Sequence, residues 1–246
     1  MRACDLFCGA GGMSQGLRDS GISVEMGIDN DRQALSVYNM HHTNGTCMDL
    51  SDEDAAVDAI SALGHLDMLA GSPPCQDFSI AGTKKTGKRA SLTVSFARIA
   101  TRVRTRIILM ENVGFMARSS TWEEAKTVLL EGGYSVHCLR VNSACCGVPQ
   151  VRRRMFIVGA LGKDMSILKL LSAGFRVTPA HPPKVKDFLP IDTYYLPGRN
   201  VHSYSVHGAD KPAPTLRCNC LQRPYPSYMP RHDDAGPVQD AHTLSV

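Results

Sequence analysis

The chain has 246 residues, 43% of them hydrophobic, with a formal net charge of +4 and a pI near 8.6. That supplies one sizeable core with a small appendage, and the mild basicity permits a polyanionic partner without demanding one. No apolar run is long enough to span a bilayer, and Met1-Arg2-Ala3-Cys4-Asp5 carries no signal-peptide pattern, so a cytoplasmic location away from the membrane is expected.

From Met1 to about Gly162, apolar runs alternate with amphipathic segments. In chain order the pattern predicts a strand over 2–7, a helix over 13–20, a strand over 24–29 and a helix over 32–41. A helix with an Asp/Ser-rich start follows over 52–63, then a strand over 66–70, a helix over 90–103 and a strongly apolar strand over 106–111. A helix over 121–131 and strands over 134–141 and 155–160 complete the run. This βαβα rhythm predicts a doubly wound, mostly parallel α/β sheet with helices on both faces. After about Thr178 the composition shifts, and eleven of the fourteen prolines lie there among Tyr, His and Arg. Two parts are therefore expected: an α/β domain over 1–175, and a small loop-rich region over 176–246. The nine cysteines are scattered, and the close pairs Cys145-Cys146 and Cys218-x-Cys220 lack a second pair at zinc-ribbon spacing. They read as reduced cytosolic thiols, with no metal site.

The first strand runs into "DLFCGAGGMSQGL", where Asp5 and Phe7 lead to Gly9, Gly11 and Gly12. Glycines there let a ligand approach the backbone, at the position where doubly wound sheets bind nucleosides. The second strand ends in Asp29, about twenty residues on, where an acid can accept hydrogen bonds from ribose hydroxyls. The glycine spacing is not G-x-G-x-x-G, which argues against a nicotinamide dinucleotide. Asp49, in "CMDL", would sit near the end of a third strand, and a plain helix-preceding acid is the equal alternative.

"GSPPCQDFS" follows the strand over 66–70, so Cys75 falls at the carboxyl end of the sheet, behind two prolines that restrict its backbone. A nucleophile gains from such fixed orientation, whereas a buried small hydrophobe is the ordinary reading of a single cysteine. "ILMENV" ends an apolar strand in Glu111, whose partial desolvation would favour a protonated carboxyl able to serve a ring nitrogen. In "PQVRRRM", Gln150, Arg152 and Arg154 alternate and would face one side of an extended chain. The basic stretch 79–89, with Ser79, Lys84, Lys85 and Arg89, suits contact with phosphates, or is a solvated loop.

Together these residues resemble the cytosine-C5 DNA methyltransferases, of the bacterial restriction–modification or orphan type. The joint, ordered occurrence of "PPCQ", "ENV" and "Q-x-R-x-R" carries the resemblance over residues 2–160. It implies a class I, Rossmann-like fold and S-adenosylmethionine as methyl donor. That donor would be held by Asp5, Phe7, Gly9, Gly11, Gly12, Asp29 at the ribose, Asp49 and Leu50 at the adenine, Pro74 and Leu92. The resemblance implies double-stranded DNA as partner, with a cytosine flipped out of the duplex. Cys75 would attack C6, Glu111 would hold N3, Arg154 would bind O2 and Arg152 would support the site. Ser79, Lys84, Lys85, Arg89, Gln150 and Arg217 would contact DNA.

Two segments beyond 160 carry a weaker likeness: "KPAPTLRC" resembles an element of the target-recognition region, and "AHTLSV" the opening of the penultimate motif. The family's last motif, Asn-x-Val-Pro-Pro, is not found. A split enzyme completed by a second subunit, or a truncated chain, is expected ahead of a self-sufficient minimal enzyme. A split enzyme would expose an apolar patch near the first helix. The rivals are a DNA-binding regulatory homologue, an RNA methyltransferase of the same family and a nucleotide-dependent oxidoreductase. Retention of Cys75 and Glu111, lack of a Cys-Phe-Thr tripeptide and the glycine spacing argue against them in turn.

Overall fold

The structure is a computed structural model that describes residues 1–74 and 92–162, and short stretches at 184, 187, 193–197, 204–208, 210–214 and 241–243. Cys75, Ser79, Lys84, Lys85, Arg89 and Arg217 lie outside the described residues. The chain divides into two compact units, Met1–Arg140 with Arg154–Phe175, and Val141–Arg153 with Arg176–Val246.

The first unit is built on β1 (Arg2–Leu6), α1 (Gly12–Asp19), β2 (Ser23–Asp29), α2 (Arg32–His41), β3 (Gly45–Cys47), α3 (Glu53–Ser61) and β4 (Met68–Gly71). There follow α4 (Leu92–Val103), β5 (Ile107–Asn112), α5 (Ser120–Glu131), β6 (Tyr134–Asn142) and β8 (Arg153–Leu161), with β7 (Gln150–Val151), which belongs to the second unit, between the last two in the chain. Helix starts are written in the sequence. Asp31 accepts from Gln33 and Ala34 N–H at 2.8 and 3.2 Å, Asp52 from Ala55 at 3.1 Å, and Ser119 from Trp122 at 3.1 Å. Each satisfies donors that a helix leaves open at its first turn.

The sheet order is β3-β2-β1-β4-β5-β8-β6. β1 pairs in parallel with β2 and β4, β2 with β3, and β4 with β5, while β8 runs antiparallel to β5. The order reverses at β1, and right-handed crossovers then put helices on both faces, as a doubly wound sheet requires. α3, α4 and α5 pack together, and their apolar sides close the core around Phe96, Ile99, Ile108, Met110, Trp122 and Leu129. The antiparallel strand was not legible as such, and it matters. Because β8 runs backwards, its beginning, not its end, reaches the carboxyl edge of β4 and β5, with Asn112 opposite Met155.

The second unit holds β9 (Thr193–Pro197), β10 (Tyr204–Gly208), β11 (Ala213–Pro214) and β12 (Ala241–Thr243). Three of these form a sheet of order β10-β9-β12, and β11 pairs in parallel with β7. The proline-rich region thus carries regular strands among its turns.

Candidate active site at the carboxyl edge of the sheet

The end of β1 turns sharply. Phe7 adopts a left-handed backbone with φ 55, rare for a non-glycine residue, and Gly9 and Gly11 follow at φ 53 and φ 96. Such strain collects where geometry serves a ligand. The turn is clamped on both sides. Gly9 N–H donates to Asp29 Oδ2 at 2.8 Å, and the Gly11 carbonyl lies 3.2 Å from His42 Nε2. Asp29 also accepts from Asp31 N–H at 2.9 Å, and each of its oxygens keeps a lone pair for a further donor.

Beneath the turn lies a buried polar network. Ser14 donates to Asp5 Oδ2 at 2.6 Å and meets the Tyr38 hydroxyl at 3.1 Å. Asp5 is fully buried, and its Oδ1 has no hydrogen-bond partner among the described residues. Burial pushes the Asp5 carboxyl up to about 6, opposed by the Ser14 hydrogen bonds. Burial also pushes the Cys4 and Cys8 thiols up, which marks them as packing groups rather than nucleophiles.

These residues fit a nucleoside cofactor. Among the described residues, a Cβ at Gly9 or Gly12 would meet nothing within 4 Å. The N-cap of α1 is Gly11, which has no side chain to cap the helix, so this helix start suits an anionic or polar ligand. Asp29 is half-buried at the end of β2, and Asp49 is exposed after β3, where it accepts from Ser51 N–H at 2.9 Å. Leu50 and Leu92 are buried and Pro74 is half-buried.

Further along the edge, Glu111 lies near the end of β5. Arg154 Nε is 2.9 Å from Glu111 Oε1, and both side chains are about one-fifth exposed, at 20% and 19%. Phe156 faces Glu111 across the strands, so Arg154, two residues earlier, is its diagonal neighbour on the same face. The carboxyl expected at the end of the apolar strand thus has a guanidinium beside it. Asn112, 2% exposed, donates to the Pro73 carbonyl at 3.1 Å, and its Oδ1 accepts from Val113 N–H at 2.8 Å. It ties the "ENV" strand to the segment that leads into Cys75.

In the second unit, Gln150 and Arg152 are half-buried while Val151 is exposed, as alternation predicts, although the strand breaks at Arg152. Ser143 holds this segment, its hydroxyl donating to the Gln150 carbonyl at 2.6 Å and its N–H to the Arg152 carbonyl at 3.0 Å. β11, within "KPAPTLRC", pairs Ala213 with Gln150 and Pro214 with Val151. Ser14, Tyr38, His42 and Asn112 were not singled out by the sequence. Only the place of Asn112 inside "ENV" signalled any of them.

Residues 1–193 match the profile of the family described as C-5 cytosine-specific DNA methylase. The chain is 34% identical to the type II methyltransferase M.HgiDI of Herpetosiphon aurantiacus, an alignment covering 100% of this chain and 80% of that one. It is 32% identical to the type II methyltransferase M.HindV of Haemophilus influenzae, over 92% and 75% of the two chains. Among solved structures, a prophage-encoded E. coli protein assigned as a DNA modification methyltransferase superposes with a TM-score of 0.64 at 25% identity. That match covers 80% of this chain and 58% of the E. coli one, so the chain spans somewhat over half of its length.

Proposed function

This chain belongs to the C-5 cytosine-specific DNA methylase family, and from that membership we propose that it methylates C5 of a cytosine flipped out of duplex DNA, with Cys75 as nucleophile. The Glu111–Arg154 pair carries the proposal. It sets an acidic group and a guanidinium side by side at the end of β5, the two kinds of group that a cytosine's N3 and O2 would call for. S-adenosylmethionine supplies an electrophilic methyl group. The residues to hold it are Asp5, Phe7 and the glycine turn, Asp29 at the ribose hydroxyls, Asp49 and Leu50 at the adenine, and Pro74 and Leu92.

C5 of cytosine is a weak nucleophile. The Cys75 thiolate adds to C6, and the C5–C6 π pair becomes available at C5 for the methyl group. Glu111 holds N3 and shares the proton that offsets charge developing on the ring, while Arg154 donates to O2. Arg152 supports the site, and Gln150 lies beside it or contacts DNA. A base then removes the C5 proton, the C5–C6 double bond re-forms, and the C6–S bond breaks to return the thiolate. Extruding the base costs a few kcal/mol, and Ser79, Lys84, Lys85, Arg89 and Arg217 would help recover it through phosphate and base contacts. The catalytic domain is read as 1–175 and the recognition region as 176–246. The reaction would run in the cytoplasm; among the described residues no helix is long and apolar enough to cross a membrane.

The test is transfer of labelled methyl groups from S-adenosylmethionine to mixed-sequence duplex DNA, beside a duplex bearing 5-fluorocytosine. Fluorine cannot leave C5 as a proton does, so a thiol adduct should accumulate as a denaturation-resistant complex. The expected result is 5-methylcytosine and adduct with the wild type, and neither with Cys75→Ser. Methylation by Cys75→Ser would remove the nucleophile assignment. Turnover only after adding a second chain bearing the Asn-x-Val-Pro-Pro motif would assign the reaction to a two-chain assembly.

A further inference from the structure

One buried polar group behind the glycine turn has no part in the steps above. His42 follows the last residue of α2 and is 4% exposed. Its ring packs close against the turn, for a Cβ at Gly11 would stand 2.5 Å from His42 Cδ2. Nε2 is 3.2 Å from the Gly11 carbonyl, and Nδ1 is buried without a partner among the described residues. A carbonyl only accepts, so a proton sits on Nε2, and in the neutral ring Nδ1 is then the bare acceptor. Burial, aided by the Arg18 guanidinium, pushes the ring's pKa down and keeps it neutral.

A buried acceptor left without a donor is unfavourable, so the pose must be held by its surroundings. Tyr38 does so. It is fully buried, its ring centroid lies 4.6 Å from that of His42, and its hydroxyl meets Ser14, which in turn donates to Asp5. The Gly11 carbonyl thereby has two donors, Gln15 N–H at 2.8 Å and His42. In a trans peptide the C=O and the following N–H point to opposite sides. Drawing the Gly11 carbonyl toward α1 and His42 aims the Gly12 N–H out of the uncapped start of α1, on the exposed side of the turn.

We propose that His42 is a positioning residue for the methyl donor: its Nε2–H fixes the Gly11–Gly12 peptide so that the Gly12 N–H is presented to S-adenosylmethionine. The proposal rests on the reading that the donor binds at this turn. Three variants separate the donor atom from the bulk of the ring. His42→Phe keeps a ring and removes the donor. His42→Gln puts an amide N–H near the Nε2 position. His42→Asn, one methylene shorter, reaches only the Nδ1 position.

S-adenosylmethionine affinity is measured by calorimetry on the full chain, with thermal melting alongside. Phe and Asn should weaken binding roughly tenfold, the worth of one neutral hydrogen bond, while Gln stays within about twofold of wild type. Equal affinity for all three variants overturns the proposal, as does a loss with Gln that matches the loss with Asn. If Phe does not fold, the Gln and Asn pair decides alone. If the wild type binds no S-adenosylmethionine, the cofactor reading fails and this proposal falls with it, an outcome distinct from a wild type that binds and variants that match it.

Discussion

At the end of β1, Asp5, Ser14, Tyr38 and His42 lie buried beneath the glycine turn, with Asp29 clamping its far side. At the ends of β4 and β5, by contrast, Glu111 and Arg154 meet with about a fifth of each side chain still exposed. The first region spends its polar groups on geometry. They are sequestered, and a ligand would meet mainly the backbone they orient. The second keeps charged atoms at the surface, where a base can compete for them. Substitutions in the first region should therefore move stability and cofactor affinity, and those in the second should move the rate of the chemical step.

The largest effect should come from Glu111→Gln. The amide keeps the shape and can still accept from Arg154, but it cannot take or give the proton at N3. Loss of such a preorganised group costs on the order of 10²–10³ in rate, or ~3 kcal/mol. Single-turnover methyl transfer should fall by that factor while the melting temperature and S-adenosylmethionine affinity hold. A near-normal rate would remove Glu111 from the mechanism and leave Arg154 as the group to test.

Next comes the pH dependence of folding, which probes the buried region alone. The Asp5 carboxyl is raised by burial from 3.8 to about 6. Below about pH 4 both folded and unfolded chains hold this proton, and between about pH 4 and 6 only the folded chain does. The contribution of Asp5 to stability is thus present at low pH and lost as pH rises through about 6. Asp5→Asn has no such step. The difference in unfolding free energy between wild type and Asp5→Asn, from urea melts, should shift by up to ~3 kcal/mol between pH 4 and 7. Parallel curves would mean that Asp5 is not the buried acid described.

How much of this could be read from sequence follows the same division. α2 begins and ends where the apolar spacing and Asp31 predict, because both signals are local. The place of Asp29 at the end of β2 was legible because the apolar run before it marks a strand. β3 is three residues long, too short to show a period of two, and only Asp49 hinted at it. The direction of β8 is set by pairing with β5, forty-odd residues away along the chain, which no local pattern encodes. Ser14, Tyr38 and His42 come from α1, from α2 and from the residue after α2, and each alone reads as ordinary. A buried polar network is a property of packing, so its members surface only when the elements are assembled.

The smallest effect, and the sharpest test of the boundary between the regions, concerns Asn112. Its amide donates to the Pro73 carbonyl and its oxygen accepts from Val113 N–H, at 2% exposure. Asn112→Ala strands the Pro73 carbonyl and should destabilise by ~1–2 kcal/mol. Asn112→Asp keeps the bond from Val113 but turns a carboxylate oxygen toward that carbonyl, so it should be the worse of the two despite its closer shape. Pro73 stands two residues before Cys75. In the proposed mechanism the chemical step depends on how the Cys75 thiol is oriented, whereas the glycine turn is clamped independently by Asp29 and His42. Both variants should slow single-turnover methylation more than tenfold at saturating donor, with S-adenosylmethionine affinity within about twofold of wild type. A drop in affinity at an unchanged rate would place Asn112 with the cofactor turn and dissolve the division between a buried scaffold and a reachable catalytic edge.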